Sequence, residues 1–327
     1  MRALITGATG FVGRRLLQYL DGAVVLSRSV DKAKASLGKE AAGPIEVHRW
    51  DAENEPAPAE AFHGVDVVFH LAGEPVAEGR WTAEKKRRLR ASRETGTRNL
   101  VTTLAQLPAR PKVLVSASAV GFYGDRQDEI LDEQSPPGHD FLADVCQAWE
   151  REARIGEQAG IRVVNPRIGI VLGRGGGALQ KMLTPFRLGL GSPLGSGQQW
   201  MPWIHIDDLV GLLLFAASHE TLIGPANATA PNPATNSDFT KALGKALRRP
   251  TLMPSVPGFV LRTVFGELGS VLLGSQRAVP RAVLAAGYEF QFPELQAALE
   301  DIVQSPAYDT RPKITNSVPS PTGRGLG

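Results

Sequence analysis

Cysteine is nearly absent from this sequence. Cys146 is the only one in 327 residues, so no intrachain disulfide can form, which suits a reducing compartment. Long apolar runs are missing as well: the longest, such as Leu209 to Ala217, fall far short of the roughly 20 residues that span a bilayer. Met1 and Arg2 lead straight into Ala3, Leu4 and Ile5, without the graded segments of a secretory signal. A cytoplasmic location with no membrane partner is the expectation. An excess of one charge is also lacking, the formal net charge being only +3. One basic cluster, Lys85 to Arg90 (KKRRLR), reads as the solvated face of a helix, so no nucleic-acid partner is expected. No cluster of potential ligands has metal-binding spacing, and no metal is expected.

What is present describes a folded chain: hydrophobic residues make up 43% and charged residues 21%, outside the disordered range. The length suits about two domains, or one α/β domain with an attached lobe. Short aliphatic runs at Ala3–Thr6, Ala23–Ser27, Ile45–Arg49, Val65–His70, Lys112–Ser116 and Arg162–Asn165 read as strands. Helical periodicity occupies Phe11–Leu20, Trp81–Leu107 and Phe141–Ala159. Strands separated by such helices predict parallel βαβ units, and hence a Rossmann-type doubly wound sheet. After Gly173 the chain turns glycine-rich, with an amphipathic segment at Ala178–Leu188, a strand at Met201–Ile206 and a helix at Asp207–Ala217. Further helices are expected at Ser237–Leu247, Pro257–Leu273 and Pro293–Val303. Residues 1–174 and 201–230 are expected to form the dinucleotide domain, and 175–200 with 231–303 a smaller C-terminal lobe. Residues 304–327, rich in Pro, Ser, Thr and Gly without apolar periodicity, read as a disordered tail.

The strongest motif runs from Thr6 to Gly13 (TGATGFVG), between the first strand and the first helix, the context a dinucleotide site requires. Gly7 permits the sharp turn, Gly10 lets backbone approach a pyrophosphate, and Gly13 lets helix and sheet pack closely. Thr9, Phe11 and Val12 complete the loop as expected cofactor contacts. The glycine spacing, G-x-x-G-x-x-G, is offset from the commoner fingerprint. An NAD site usually offers an acid near the end of the second strand, for the ribose 2′-hydroxyl. Here that place holds Ser27 and Arg28, a hydroxyl and a guanidinium suited to a 2′-phosphate, with Lys32 adding positive field. NADP(H) is therefore the expected cofactor. Asp51, after the third strand, stands where a side chain could meet adenine, or acts as a turn acid. His70, Leu71, Ala72 and Gly73 end the fourth strand beside the expected ribose, with His70 read as a hydrogen-bonded core histidine.

Thr6–Gly13, His70–Gly73, Ser116–Ser118, Gly121–Gly124 and Ile204–Asp208 together resemble the extended short-chain dehydrogenase/reductases. Phe186–Gly191, Gly195–Gly197, Pro202–His205, Ser275–Arg277 and Ala285–Tyr288 are similar to an atypical "epimerase family" branch with its own C-terminal domain. The resemblance covers residues 1 to 303. It implies an NADP-binding Rossmann domain, a small C-terminal lobe and a homodimer formed through the helices at Trp81–Leu107 and Phe141–Ala159. Arg167 is among the cofactor-binding positions it implies.

Enzymes of that superfamily move a proton through a tyrosine whose pKa is lowered by a lysine four residues later. The corresponding helix here reads Phe141 to Glu150 (FLADVCQAWE), with neither residue. Counting back from Arg167 puts Phe141 and Val145 near the two positions. Ser118 matches the serine that holds the substrate oxygen, and Tyr123, Glu74 and Cys146 are the candidate substitutes for the acid–base pair. Arg93 stands where the superfamily often has asparagine. His205 is expected to make a buried hydrogen bond. Gly173–Gly177, Arg187, Trp200 and Trp203 suggest a pocket for an anionic ligand, or a hinge whose tryptophans seal the lobes. The expectation is an NADP(H)-dependent oxidoreductase or epimerase-like enzyme for a small polar substrate. Its alternative is a non-catalytic NADP sensor.

Overall fold

Five aliphatic runs become parallel strands: β1 (Ala3–Thr6), β2 (Ala23–Ser27), β3 (Ile45–Arg49), β4 (Val67–His70) and β5 (Val113–Ser116). With Arg162–Ile168 and Gly224–Ala228 they make one sheet in the order β3-β2-β1-β4-β5, then Arg162–Ile168 and Gly224–Ala228. The short Ser118–Ala119 strand adds to it against Arg167 and Ile168. The order reverses between β1 and β4, where doubly wound sheets open a ligand crevice at the carboxyl ends of their strands. The computed structural model describes residues 1–38 and 40–304.

Every residue of β1, β4 and β5 is buried, because helices cover both faces of a parallel sheet. Alternate residues divide between two cores. Ala3 and Ile5 pack with Leu16 and Leu17 of α1 (Phe11–Leu17), Ala33 and Leu37 of α2 (Val30–Leu37), and Leu209 to Leu213. Leu4 packs on the other face with Leu100, Val101 and Leu104 of α3 (Ala83–Gln106) and Ala153 of α4 (Phe141–Arg154). A third core joins Leu179 and Phe186 of α5 (Gly177–Arg187) to Trp203, Phe239, Leu243, Leu299 and Ile302. It gathers α7 (Asn236–Leu247) and α11 (Leu295–Gln304) into the smaller C-terminal lobe. The helix carrying Leu209 to Leu213 is α6 (Ile206–Ser218). No helix among the described residues is long and apolar enough to cross a membrane.

The fold class agrees with the sequence reading; three local expectations need correction, and some short elements come in addition. Helix α2 and the Gly224–Ala228 strand were not expected, because both are short and their periodicity is weak. Met201–Ile206 is split at Pro202, which lacks a donor. Trp200–Met201 pairs antiparallel with Ala234–Thr235, whereas Trp203–His205 pairs parallel with Ile170–Leu172. Pro257–Leu273 breaks at Gly266, whose φ of +62° turns the chain between α8 (Gly258–Phe265) and α9 (Glu267–Leu273). Gln304 closes α11 instead of starting the tail; residues 305–327 lie outside those described.

Candidate functional site

The crevice begins at the exit of β1. Gly7 has φ +74°, and a Cβ there would lie 2.7 Å from the Leu71 carbonyl carbon and 2.8 Å from the Ala72 nitrogen. Only glycine accommodates both the turn and this approach. A Cβ on Gly13 would meet the Gly7 carbonyl oxygen at 2.4 Å, so α1 starts tight against the turn. Gly10 differs: its φ is −78°, open to any residue, and a Cβ would meet only the Gly7 oxygen, at 3.2 Å. A side chain there would project instead over the first turn of α1, which no side chain caps. Bare backbone of this kind fits a pyrophosphate, whose oxygens the orphan N–H groups can satisfy. Thr9 is exposed beside it and its carbonyl accepts from Arg14 Nε at 2.9 Å. Val12 packs toward the first core, and the Phe11 ring is enclosed by Gly173, Gly176 and Gly177.

Beneath the crevice, the Ala72 N–H donates to Thr6 Oγ1 at 3.2 Å, and Thr6 Oγ1 lies 2.7 Å from His70 Nδ1. His70 Nε2 lies 2.9 Å from Thr97 Oγ1, so the neutral ring donates from one nitrogen and accepts at the other, each toward a threonine hydroxyl. Burial holds the fully buried His70 down to about 4, so it stays neutral and serves as a hydrogen-bonded core residue. At the end of β2, Ser27 Oγ turns to the backbone of Ser29. Arg28 is exposed, and no hydrogen bond or ion pair of it occurs among the described residues. The Asp51 carboxylate accepts from Asn54 Nδ2 at 2.8 Å, capping its own turn.

The far side of the crevice is built differently. Ser118 Oγ donates to Glu150 Oε1 at 2.7 Å. Arg167 grips the same carboxylate in a two-pronged pair, at 2.8 and 2.9 Å. Its Nη1 donates to the Tyr123 hydroxyl at 3.0 Å, and that hydroxyl lies 2.7 Å from Asn227 Oδ1. Tyr123 is fully buried, and burial pushes its pKa up to about 12. Arg167, an expected cofactor contact, stands at the centre of this buried network with its fork taken by Glu150. Cys146 packs among Val120, Phe122 and Leu131, and burial pushes its thiol up to about 12. Glu74 binds Lys85 Nζ at 2.7 Å and lies 3.4 Å from Arg88. The Lys85 hydrogen bond, with the nearby cations, holds its carboxyl below the usual range.

The sequence pattern of the NAD dependent epimerase/dehydratase family matches residues 3–227, and that of a domain of unknown function, DUF1731, matches residues 256–302. The chain belongs to the NAD-dependent epimerase/dehydratase family. It is 40% identical over 311 residues to the chloroplastic SDR39U1 homolog, an epimerase family protein of Arabidopsis thaliana, covering 93% of this chain and 87% of that one. Its identity to the mouse epimerase family protein SDR39U1 is 39% over 307 residues, covering 93% and 100%. The crystal structure of human SDR39U1 (isoform 2) with NADPH is similar at a TM-score of 0.82 and 37% identity, covering 93% and 99%.

For an epimerase-family protein the helix that should carry the tyrosine and lysine is telling. Phe141 faces α3, 5.6 Å from Trp81 and 5.2 Å from Lys86 Nζ. Leu142 and Cys146, one residue along from the sequence count, are the side chains set against Gly121. Leu142 has no proton to exchange, and the Cys146 thiol is the one ionisable group of the two. Trp203 is buried with Nε1 bonded to the Asn232 carbonyl, and the half-buried Trp200 bonds Asp128 through Nε1. His205 is buried, with Nδ1 accepting from the Asp207 N–H at 3.2 Å. Sequence reasoning missed Glu150, since an acid on a helix reads as solvent-facing until tertiary packing sets an arginine against it. It also missed Arg15, whose Nε pairs with Asp207 and ties α1 to α6.

Proposed function

We propose that this chain binds NADP(H) over the glycine turn and uses it in an oxidoreductase or epimerase-like reaction on a small polar substrate, without a tyrosine–lysine pair. The observation that carries the cofactor reading is Arg28. It is an exposed guanidinium at the end of β2, without a hydrogen bond or ion pair among the described residues and beside the uncapped first turn of α2, where a 2′-phosphate dianion would find charge-assisted donors. The human relative solved with NADPH supports the same reading. Gly7, Gly10 and Gly13 would hold the pyrophosphate, with Thr9, Phe11 and Val12 completing the loop. Leu71, Ala72 and Gly73 would line the ribose. When bound, the nicotinamide supplies a site that gives or accepts hydride.

Ser118 is the residue we assign to the substrate. Its proton is directed to Glu150, and its remaining lone pairs can accept from a substrate hydroxyl. Tyr123, Cys146 and Glu74 are occupied by hydrogen bonds, burial or an ion pair, so we assign proton exchange to water. Those same occupied groups favour a second reading, an NADP-sensing protein without turnover. Calorimetry with NADPH and NADH tests the cofactor: NADPH should bind more tightly, and equal affinity would remove the argument from Arg28. A screen of metabolite pools for NADP(H)-dependent turnover separates the readings. Product formation lost in folded Ser118→Ala supports the enzyme, whereas NADPH-dependent partner capture without turnover supports the sensor.

A further inference from the structure

Arg93 projects from the middle of α3 into the gap between the exit of β4 and helix α4. A Cβ built on Gly73 would lie 3.2 Å from both its Cζ and its Nη2, and the guanidinium stands 5.0 Å over the Trp149 ring. All of its hydrogen bonds come from Nη1: to the Glu74 carbonyl at 3.1 Å, the Leu89 carbonyl at 3.2 Å and Ser92 Oγ at 3.5 Å. Among the described residues, Nε and Nη2 make none, and no carboxylate comes within ion-pair distance. Glu74, whose charge it feels, is committed to Lys85. Burial pulls the guanidinium below its ordinary value, as for a cation without a full counter-charge in the protein. It stays protonated nonetheless, as arginine does in proteins.

Its place in the fold is specific. Gly73 follows β4, and the Sγ of Cys146, which also feels the Arg93 charge, stands 3.9 Å from where a Cβ on Gly121, beyond β5, would lie. Arg93 thus flanks the β4–β5 half of the crevice, across the switch point from Arg28 at the end of β2. A dinucleotide lying over that point sets its adenosine toward β2 and its nicotinamide toward β4 and β5. We propose that Arg93 presents a fixed positive charge to the nicotinamide half and so makes the site prefer the reduced, uncharged ring over the oxidised, cationic one. This rests on the NADP(H) reading and adds a redox preference to it. The charge that a lysine on α4 would bring in the resembling enzymes comes here from α3. Like charges in a partly buried crevice repel far more than in water, enough for about a tenfold preference.

The test is the ratio of NADP⁺ to NADPH dissociation constants, measured by calorimetry on wild type, Arg93→Lys, Arg93→Met and Arg93→Gln. Wild type and Arg93→Lys should favour NADPH by about tenfold or more. Arg93→Met should bring the ratio toward one, chiefly by tightening NADP⁺. Arg93→Gln keeps a donor for the Glu74 and Leu89 carbonyls, so it should do the same if the methionine variant fails to fold. A merely structural Arg93 would move both constants together. An unchanged ratio in the neutral variants overturns the proposal while leaving the NADP(H) reading intact. Failure of wild type to bind either form overturns both.

Discussion

The two sides of the crevice are opposites in how their polar groups are used. On the β1–β2 side, Arg28 makes no hydrogen bond or ion pair among the described residues, no side chain caps the first turn of α1, and Gly10 keeps that turn bare. On the β5 side, Ser118, Glu150, Arg167, Tyr123 and Asn227 are bonded to one another inside the fold. Groups left without partners at a surface are available to a ligand, whereas a closed buried network contributes structure. The half we assign to the cofactor stands open, while on the other half only the remaining lone pairs of Ser118, whose proton goes to Glu150, are left for the substrate role we assign it.

Breaking the closed side should have the largest effect. Glu150→Gln leaves Arg167 buried without its counter-charge, both side chains being at most 10% exposed. Urea unfolding should show a loss of about 3–5 kcal/mol, and a loss below about 1 kcal/mol would mean the network is not closed.

The floor beneath the open side should respond to acid. His70 is held at about 4 when folded, against its ordinary 6.5, so the unfolded chain binds the extra proton between these limits. Its contribution is complete above pH 6.5 and is lost as pH falls toward 4, amounting to about 3 kcal/mol. Urea midpoints across that range should fall in the wild type and flatten in His70→Asn relative to its own pH 7 value.

Arg28→Met sharpens the contrast from the ligand side. It should weaken NADPH by about 10- to 100-fold, while NADH affinity and the melting temperature stay unchanged. A large fall in melting temperature would show that Arg28 belongs to the architecture after all. Tyr123→Phe should cost least, about 1–2 kcal/mol, by removing one hydroxyl between Arg167 and Asn227. With Tyr123 pushed up to about 12, any turnover that is found should show no tyrosine ionisation below pH 11 in its rate profile. A lost basic limb in Tyr123→Phe would restore it as an acid–base group.

Much of this was legible in the residues. The apolar runs located β1 to β5, and the glycine turn located the crevice, because local backbone demands are written in local sequence. The loss of the tyrosine–lysine pair was equally visible, since α4 contains neither residue type. Asp51 shows the limit: from sequence it suited adenine or a turn, and the Asn54 bond in the fold takes only one of its carboxylate oxygens.

The sequence by itself determined a doubly wound sheet, a bare glycine loop and a cation where an acid would bind ribose, since each depends on residues close together in the chain. Tertiary structure alone decided which charges are spent and which are left over. Arg167 is consumed by Glu150, 17 residues away, while Arg28 and the Nε and Nη2 donors of Arg93 have no partner among the described residues. An ion pair depends on distance in space and on exclusion of water, and neither is set until distant helices pack on the sheet.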